Sequence, residues 1–148
     1  MDNVLDTYNI GSIFRQADAV AVKKIFLCGG TEIPPNHRIK KASINTTEWV
    51  TWSYAESAKE AINELRAANS EMRIIAIEQA ATAAQYDKYE YKMPICLVVG
   101  HETNGVSKEV LDIADAIVEL PMFGVNKSLN VMVSLGIVLY KVIAHTSV

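Results

Sequence analysis

The chain has 148 residues, of which 50% are hydrophobic and 21% are charged, and its formal net charge is −3. This length predicts a single domain over residues 1–148, and the negative balance excludes a generally basic nucleic-acid coat. The longest apolar run of the last segment, 131–140, is much shorter than the roughly 20 residues of a membrane span, and no signal peptide opens the chain. We therefore predict no membrane segment. Cys28 and Cys96 both lie inside apolar runs, where thiols usually pack as small hydrophobic side chains, and this predicts a reducing, cytoplasmic setting.

Short apolar runs and helical patterns alternate along the chain. The predicted strands are Lys24–Cys28, Glu48–Trp52, Arg73–Ile77, Ile95–Val99 and Ala116–Leu120. The last three are almost continuously apolar, which is typical of strands covered on both faces of a parallel sheet. The predicted helices follow Asn9 as an N-cap, run from a capping box at residues 53–56 to about Asn69, cover Lys108–Ala114 after Ser107, and close the chain with Leu129–Ala144. This alternation predicts an α/β domain with a mostly parallel sheet flanked by helices.

The first helix carries the sequence Asn9-Ile-Gly-Ser-Ile-Phe-Arg15, and little room for a strand precedes it. A glycine in the first turn of a helix costs up to about 1 kcal/mol relative to alanine, so Gly11 indicates that another backbone or a ligand comes close. Arg15, taken alone, could simply be a surface charge paired with Asp18.

The segment Leu97-Val-Val-Gly-His-Glu-Thr-Asn-Gly-Val-Ser107 has the glycine spacing of a P-loop. It lacks the lysine that a P-loop needs after its second glycine, since Val106 stands there, so we exclude ATP and GTP hydrolysis. The histidines and cysteines show no metal-ligand spacing, and we predict no metal. The remaining choices are a ligand-binding turn at the end of a parallel strand, or a connecting turn with Glu102 in solvent.

The final helix follows a polar cluster, Asn126-Lys127-Ser128, with Asn130 one step further on. Ser128 could be an N-cap, Asn130 an exposed first-turn residue and Lys127 a solvated charge. The helix itself is apolar nearly all round, which predicts burial on every side and, in a domain this small, packing against a second copy of the chain. Gly136 would permit a close helix crossing.

Positive charge is concentrated at Arg38, Lys40 and Lys41, beside two prolines. Together with Lys127 or Arg73, these residues could form a phosphate footprint. A solvated loop is the other interpretation.

Three segments, occurring in this order in one chain, resemble the signature motifs of the SpoU/TrmH-type RNA ribose methyltransferases of the SPOUT class. Residues 9–15 resemble the first motif, residues 99–107 the second, and residues 120–130 the third. The resemblance implies a parallel sheet whose C-terminal part is tied in a deep trefoil knot, a pocket for S-adenosylmethionine in that knot, and an active site completed across a homodimer.

The resemblance also implies a role for individual residues. The cofactor is expected against Ile77, Gly100, Leu120, Met122 and Leu129. Arg15, reaching in from the other subunit, resembles the catalytic arginine, and the polar network around the ribose is expected from Asn9, Glu102, Ser128 and Asn130. RNA is expected to contact Arg15, Arg38, Lys40, Lys41 and Lys127. No metal is required, because the sulfonium is already an activated electrophile.

The leading hypothesis is S-adenosylmethionine-dependent methylation of a ribose 2′-hydroxyl in tRNA or rRNA, with tRNA slightly preferred. A second hypothesis is a module that binds S-adenosylmethionine or RNA as a scaffold, with weak or no catalysis. It is motivated by the short first strand, which could mean a lost edge strand, and by the net charge of −3. A third reading, an unknotted nucleotide-binding α/β domain, depends on the glycine turn alone.

Overall fold

The computed structural model describes residues 1–146, and the predicted α/β class with mostly parallel sheets and flanking helices is confirmed. The strands are β1 (Ile25–Cys28), β2 (Trp52–Ala55), β3 (Arg73–Ile77), β4 (Ala84–Gln85), β5 (Ile95–Val98) and β6 (Ala116–Glu119). The helices are α1 (Thr7–Ala19), α2 (His37–Ser43), α3 (Ala58–Ala68), α4 (Lys108–Ile113) and α5 (Val131–Thr146), with a short 3-10 helix at Thr46–Glu48. The last two residues of the predicted domain, Ser147 and Val148, lie outside the described part of the chain.

Two groups of parallel strands meet at the N-terminal segment. One group has the order β1-β2 and the other β4-β6-β3-β5. Asp2 forms a parallel bridge to Cys28, the last residue of β1, and another to Gly100 after β5, and its N–H donates to the Val99 carbonyl at 2.8 Å. The N-terminal segment therefore lies between the two sheets through isolated bridges at Asp2, and the expectation that a strand is lost from an edge is wrong. A sequence of five residues indicates that a strand is short but not where it pairs.

Helices cover the sheet on both faces, which explains the continuous apolar character of β3. Ile75 and Ile77 pack in one cluster with Phe14 of α1 and Val138 of α5. Ile74 and Ala76 point the other way and pack with residues of α3 and α4. Alternate residues of a strand face opposite sides, so both sets must be apolar.

Both cysteines are free thiols that behave as small apolar side chains. Burial raises the pKa of the Cys28 thiol, and it raises the pKa of Cys96 to about 11. Both groups therefore remain protonated near neutral pH, as expected for packed thiols.

The region between β1 and α3 differs most from the sequence-based expectation. The strand predicted at Glu48–Trp52 is wrong, because β2 covers Trp52–Ala55 and Thr46–Glu48 forms the 3-10 helix. The capping box at residues 53–56 is also wrong, since Ser57 caps α3 by accepting the Glu60 N–H at 3.2 Å. Helix α2 was not expected. Its N-cap is Asn36, whose side chain accepts the N–H groups of Arg38 and Ile39.

Gly11 allows α1 to lie directly against α2. A Cβ atom there would stand 2.6 Å from Ala42 Cβ and 2.7 Å from the Ile39 carbonyl oxygen, both too close for real contacts. The prediction that another backbone approaches Gly11 is confirmed. The close crossing fixes the position of α2 relative to the helix that carries Arg15.

Helix α5 has one buried face and one exposed face within the chain. Leu135, Val138, Leu139 and Val142 are buried. Leu129, just before the helix, and Val133, Ile137 and Tyr140 on it form an exposed apolar stripe. Gly136 lies against Gln16 of α1, whose Nε2 donates to the Met132 carbonyl at 2.7 Å. No helix in the described residues is long and apolar enough to cross a membrane.

Candidate functional site

A cavity of about 180 Å³ lies where β3, β5 and β6 end. Its lining includes all five residues expected to bind the cofactor together with two of the expected polar residues: Ile77, Gly100, Leu120, Met122, Leu129, Glu102 and Ser128. Crevices at the C-terminal ends of parallel strands are the usual ligand sites of open α/β sheets. The structure therefore brings these sequence-predicted residues together in one place, and their roles stay predictions.

The turn between Gly100 and Gly105 forms one wall of the cavity. His101 and Gly105 exchange backbone hydrogen bonds of 3.1 and 2.8 Å, and a Cβ atom on Gly100 would collide with the backbone of Gly105 and Val106. Gly105 has a φ of +71°, in the region that favours glycine. The two glycines thus let the turn close on itself backbone to backbone. His101 Nδ1 accepts the N–H groups of Thr103 and Asn104, which orders the tip.

Two carboxylates that sequence reasoning missed hold the return leg of this turn. Glu78, immediately after β3, accepts the Val106 N–H at 2.8 Å, and Asp2 accepts the Ser107 N–H at 2.8 Å. For Glu78 there was a signal, because a carboxylate directly follows an apolar parallel strand on the edge where ligands bind. For Asp2 there was none, because its partner is 105 positions away.

A chain of hydrogen bonds joins the three motif segments. Glu102 accepts the Leu5 and Asp6 N–H groups at 3.1 and 2.9 Å, and its Oε1 accepts from Asn9 Nδ2 at 3.2 Å. Asn9 Oδ1 in turn accepts from Asn130 Nδ2 at 3.1 Å. The predicted contacts among Asn9, Glu102 and Asn130 are thus present, and the exposed Glu102 carboxylate accepts hydrogen bonds from the protein.

These contacts determine the ionisation of Glu102. Partial burial by itself raises the pKa of this carboxyl, but the hydrogen bonds from Asp6, Leu5 and Asn9 outweigh it and lower the pKa below its ordinary value. The group is therefore an anion near neutral pH and acts only as a hydrogen-bond acceptor.

Helix ends at the site differ from the expected ones. Asp6, not Asn9, is the N-cap of α1 and accepts the N–H groups of Tyr8 and Asn9. This leaves the buried Asn9 side chain free for the network. Asn130 Oδ1 accepts the Met132 and Val133 N–H groups, so Asn130 rather than Ser128 caps α5. Ser128 lies in the exposed segment 121–130 and lines the cavity.

The expected basic residues lie outside the cavity. Arg15 is exposed on α1, does not line the cavity, and forms no ion pair within residues 1–146. Pairing with Asp18 is not seen, since Asp18 accepts the Trp49 Nε1–H at 2.6 Å. Lys40 and Lys41 border a separate shallow depression on α2. Arg38 is exposed on the same helix, and Lys127 is exposed in the segment 121–130.

Titratable side chains do not gather into a metal site. Within the described residues, no group of three or more His, Cys, Asp and Glu side chains is placed to hold a metal ion. The cavity is instead lined by the turn at residues 100–105, by the carboxylate residues Glu78, Glu102 and Glu119, and by apolar residues. These are the surfaces that an organic ligand with a polar end can use.

The sequence profile of the SpoU rRNA Methylase family matches residues 1–140. The chain belongs to this family. Two relatives are named tRNA (guanosine(18)-2′-O)-methyltransferase. The Aquifex aeolicus protein is 34% identical over 146 residues, which are 95% of this chain and 65% of that protein. The Escherichia coli K12 protein is 28% identical over 95% of this chain and 60% of its own length.

A solved SpoU structure shows the same fold. The AdoMet-bound rRNA methyltransferase from Sinorhizobium meliloti superposes with a TM-score of 0.89 at 29% identity, covering 98% of this chain and 54% of that one. The present chain therefore spans less than two-thirds of each of these three SpoU relatives. The family assignment rests on the part that they share.

Proposed function

We propose that the protein transfers the methyl group of S-adenosylmethionine to a ribose 2′-hydroxyl of RNA. The observation that carries the proposal is the contact chain Glu102–Asn9–Asn130, which ties three distant segments together at one cavity. Segments that are far apart in sequence and joined through a buried amide, here that of Asn9, are typical of a built site rather than of a connecting turn. The named activity of the A. aeolicus and E. coli relatives supports tRNA as the preferred substrate over rRNA.

The cavity has features that fit S-adenosylmethionine. Gly100 and Gly105 line it with a turn that no side chain at either position would allow to close, and Leu120, Met122 and Leu129 supply apolar surface for an adenine ring. The S. meliloti relative contains AdoMet. Bound there, S-adenosylmethionine would supply a methyl group that is already activated by its sulfonium charge.

The protein must then orient a weak nucleophile. A ribose hydroxyl is a poor nucleophile at neutral pH, so holding it in line for attack supplies much of the rate. We assign this positioning to Ser128 and to the network of Asn9, Glu102 and Asn130. Arg15 would hold the adjacent phosphate and stabilise negative charge as the hydroxyl proton leaves, since a guanidinium is an electrostatic stabiliser more readily than a base.

A second copy of the chain would bring Arg15 to the site. Arg15 does not line the cavity of its own protomer, and the exposed stripe of Leu129, Val133, Ile137 and Tyr140 begins at that cavity. A contiguous apolar surface of this kind is typical of an interface. We therefore propose a homodimer that covers the stripe and places Arg15 of one protomer at the cavity of the other. The family's deep trefoil knot around the C-terminal segments belongs to the same proposal.

The test uses the purified protein, methyl-labelled S-adenosylmethionine and total RNA, with the products digested and analysed by mass spectrometry. We expect 2′-O-methylated nucleosides from the wild type and a rate lower by about 100- to 1000-fold for Arg15→Ala. The control is Lys59→Ala, which removes an exposed positive charge on α3 and should leave the rate unchanged.

Three outcomes would contradict parts of the proposal. Wild-type protein that transfers no methyl group to any RNA, yet binds S-adenosylmethionine, favours the scaffold alternative. Transfer that Arg15→Ala does not change removes the role of Arg15. A monomer at all working concentrations in sedimentation experiments removes the shared site.

A further inference from the structure

We propose that Asp2, which does not line the cavity, is a positioning residue of this site. Its carboxylate would hold the return leg of the turn at residues 100–107, and through that turn it would set the Gly100 wall and the position of Glu102. The inference rests on the proposed function for its meaning in catalysis, but its structural part can be tested without any ligand.

Asp2 is attached to both ends of the turn. Its N–H donates to the Val99 carbonyl at 2.8 Å, before the turn, and its Oδ2 accepts the Ser107 N–H at 2.8 Å, after the turn. Oδ1 accepts from Asn3 Nδ2 at 3.0 Å, so each carboxylate oxygen has a donor. The residue is only 2% exposed, which shields these charge-assisted bonds from water.

Glu78 makes the matching contact from the other side. Its Oε2 accepts the Val106 N–H at 2.8 Å, and its Oε1 accepts the Gln79 N–H at 2.9 Å. Two consecutive amides of the return leg are thus bound by carboxylates from two separate strand ends. Asp2 is the less expected of the two, because it lies in the N-terminal segment between the two sheets.

The turn also binds the N-terminal segment through a carboxylate of its own. Glu102, at the tip, accepts the N–H groups of Leu5 and Asp6. Two carboxylates therefore join segments 2–6 and 99–107. Asp2 of the first segment accepts an N–H from the second, and Glu102 of the second accepts N–H groups from the first. Loss of the Asp2 contact would loosen the cavity wall and also the start of α1, where Asn9 lies.

A carboxamide at position 2 tests this directly. Asn has nearly the shape of Asp, but it replaces one acceptor by an N–H donor, so either Ser107 or Asn3 would face a donor. For Asp2→Asn we expect faster amide hydrogen exchange in peptides covering residues 100–107, and S-adenosylmethionine affinity lower by about 10-fold in calorimetry. The kcat for RNA should fall as well, because Glu102 and Asn9 move together.

Asp115→Asn is the matched control. Asp115 also accepts a backbone N–H, from Ile74 at 2.7 Å, and pairs with Arg66 at 3.2 Å. It lies beside the first residues of β3, whereas the cavity lies beyond the last residue of that strand. This variant should lower the melting temperature, while exchange at residues 100–107, cofactor affinity and kcat stay as in the wild type. If Asp2 contributed only to stability, Asp2→Asn would likewise lower the melting temperature and leave exchange at residues 100–107, cofactor affinity and kcat unchanged.

Asp2→Ser, which removes the carboxylate, serves as the second variant if Asp2→Asn does not fold, and it should loosen the same peptides. Asp2→Asn, or Asp2→Ser in its place, with wild-type exchange at residues 100–107 overturns the inference. So does wild-type cofactor affinity in either variant, provided that the wild type binds. A wild type that binds no S-adenosylmethionine defeats the proposed function instead, and the exchange comparison still decides whether Asp2 holds the turn.

Discussion

Polar side chains at the cavity and on α2 differ in the number of partners that they have. At the cavity, Glu102 accepts three hydrogen bonds, and Asp2 and Glu78 each accept a backbone N–H from the turn. On α2, Arg38 and Lys41 form no ion pair within residues 1–146, and Lys40 has only an exposed one, to Glu48 at 3.3 Å. The first region is fixed before any ligand arrives, whereas the second keeps its charges in solvent.

This difference indicates that the two regions have different roles in ligand binding. Groups that are held by several hydrogen bonds lose little entropy when a ligand binds, so they suit alignment of reacting atoms. Exposed lysines and arginines attract phosphate through long-range electrostatics and release counterions, without fixing a geometry. If RNA is the substrate, α2 would contribute affinity and the cavity would contribute chemistry.

The largest expected effect on cofactor affinity is at the turn. Gly105→Ala would place a side chain at a φ of +71° and push its Cβ atom into the Glu78 carboxylate. Strain of this kind costs about 1–3 kcal/mol, and the displaced wall adds to it, so we expect S-adenosylmethionine affinity to fall by about 100-fold in calorimetry.

Gly30→Ala is the control for that variant. Its added Cβ atom would meet the end of the Leu5 side chain at 3.3 Å and Asn3 Oδ1 at 3.5 Å, and its φ is not positive. Affinity should stay within about twofold of the wild type. Equal affinities for wild type and Gly105→Ala would show that the turn is not a wall of the binding site.

The second effect separates the α2 face from the cavity. For Lys40→Ala combined with Lys41→Ala we expect RNA affinity to fall by about 10-fold, and the slope of log affinity against log salt to fall by about 2. Cofactor affinity should not change. Filter binding over a salt series measures the slope, and Lys59→Ala with Lys88→Ala is the charge-matched control on other surfaces. An unchanged slope would mean that α2 does not contact phosphate.

The smallest effect is a pH dependence at Glu102. The pKa of this carboxyl is lower in the folded protein than its ordinary value of 4.5. Its contribution to stability is therefore fully present above about pH 4.5 and is lost as the pH falls through the lower, folded pKa. The difference in melting temperature between wild type and Glu102→Gln should shrink over that acidic range.

The control for the pH series is Glu71→Gln, which removes an exposed carboxylate whose side chain has no hydrogen bond or ion pair in the described structure. It should follow the wild-type melting curve at every pH. A Glu102→Gln difference that stays constant or grows on acidification would refute the role given to the Leu5, Asp6 and Asn9 hydrogen bonds.

Sequence reasoning succeeded where the signal is local and repeated. The strand β3 has the predicted bounds, because an apolar run covered on both faces leaves no ambiguity. It failed at Glu48–Trp52, where β-branched and aromatic residues favour a strand by composition, because Glu48 ends a 3-10 helix and β2 begins only at Trp52. The first residues after α2, Ile44 and Asn45, both have positive φ, a conformation that composition does not reveal for such residues.

For the cavity, the sequence by itself showed which segments form the wall. The apolar strands end at glycines, small polar residues and carboxylates, and in a parallel sheet such ends converge on one edge. Which side chains meet at that edge was decided only by the tertiary structure. Asp2 reaches Ser107, and Asn130 reaches Asn9, across more than a hundred positions. Hydrogen bonds at such separations depend on strand order and helix placement, which local periodicity does not contain.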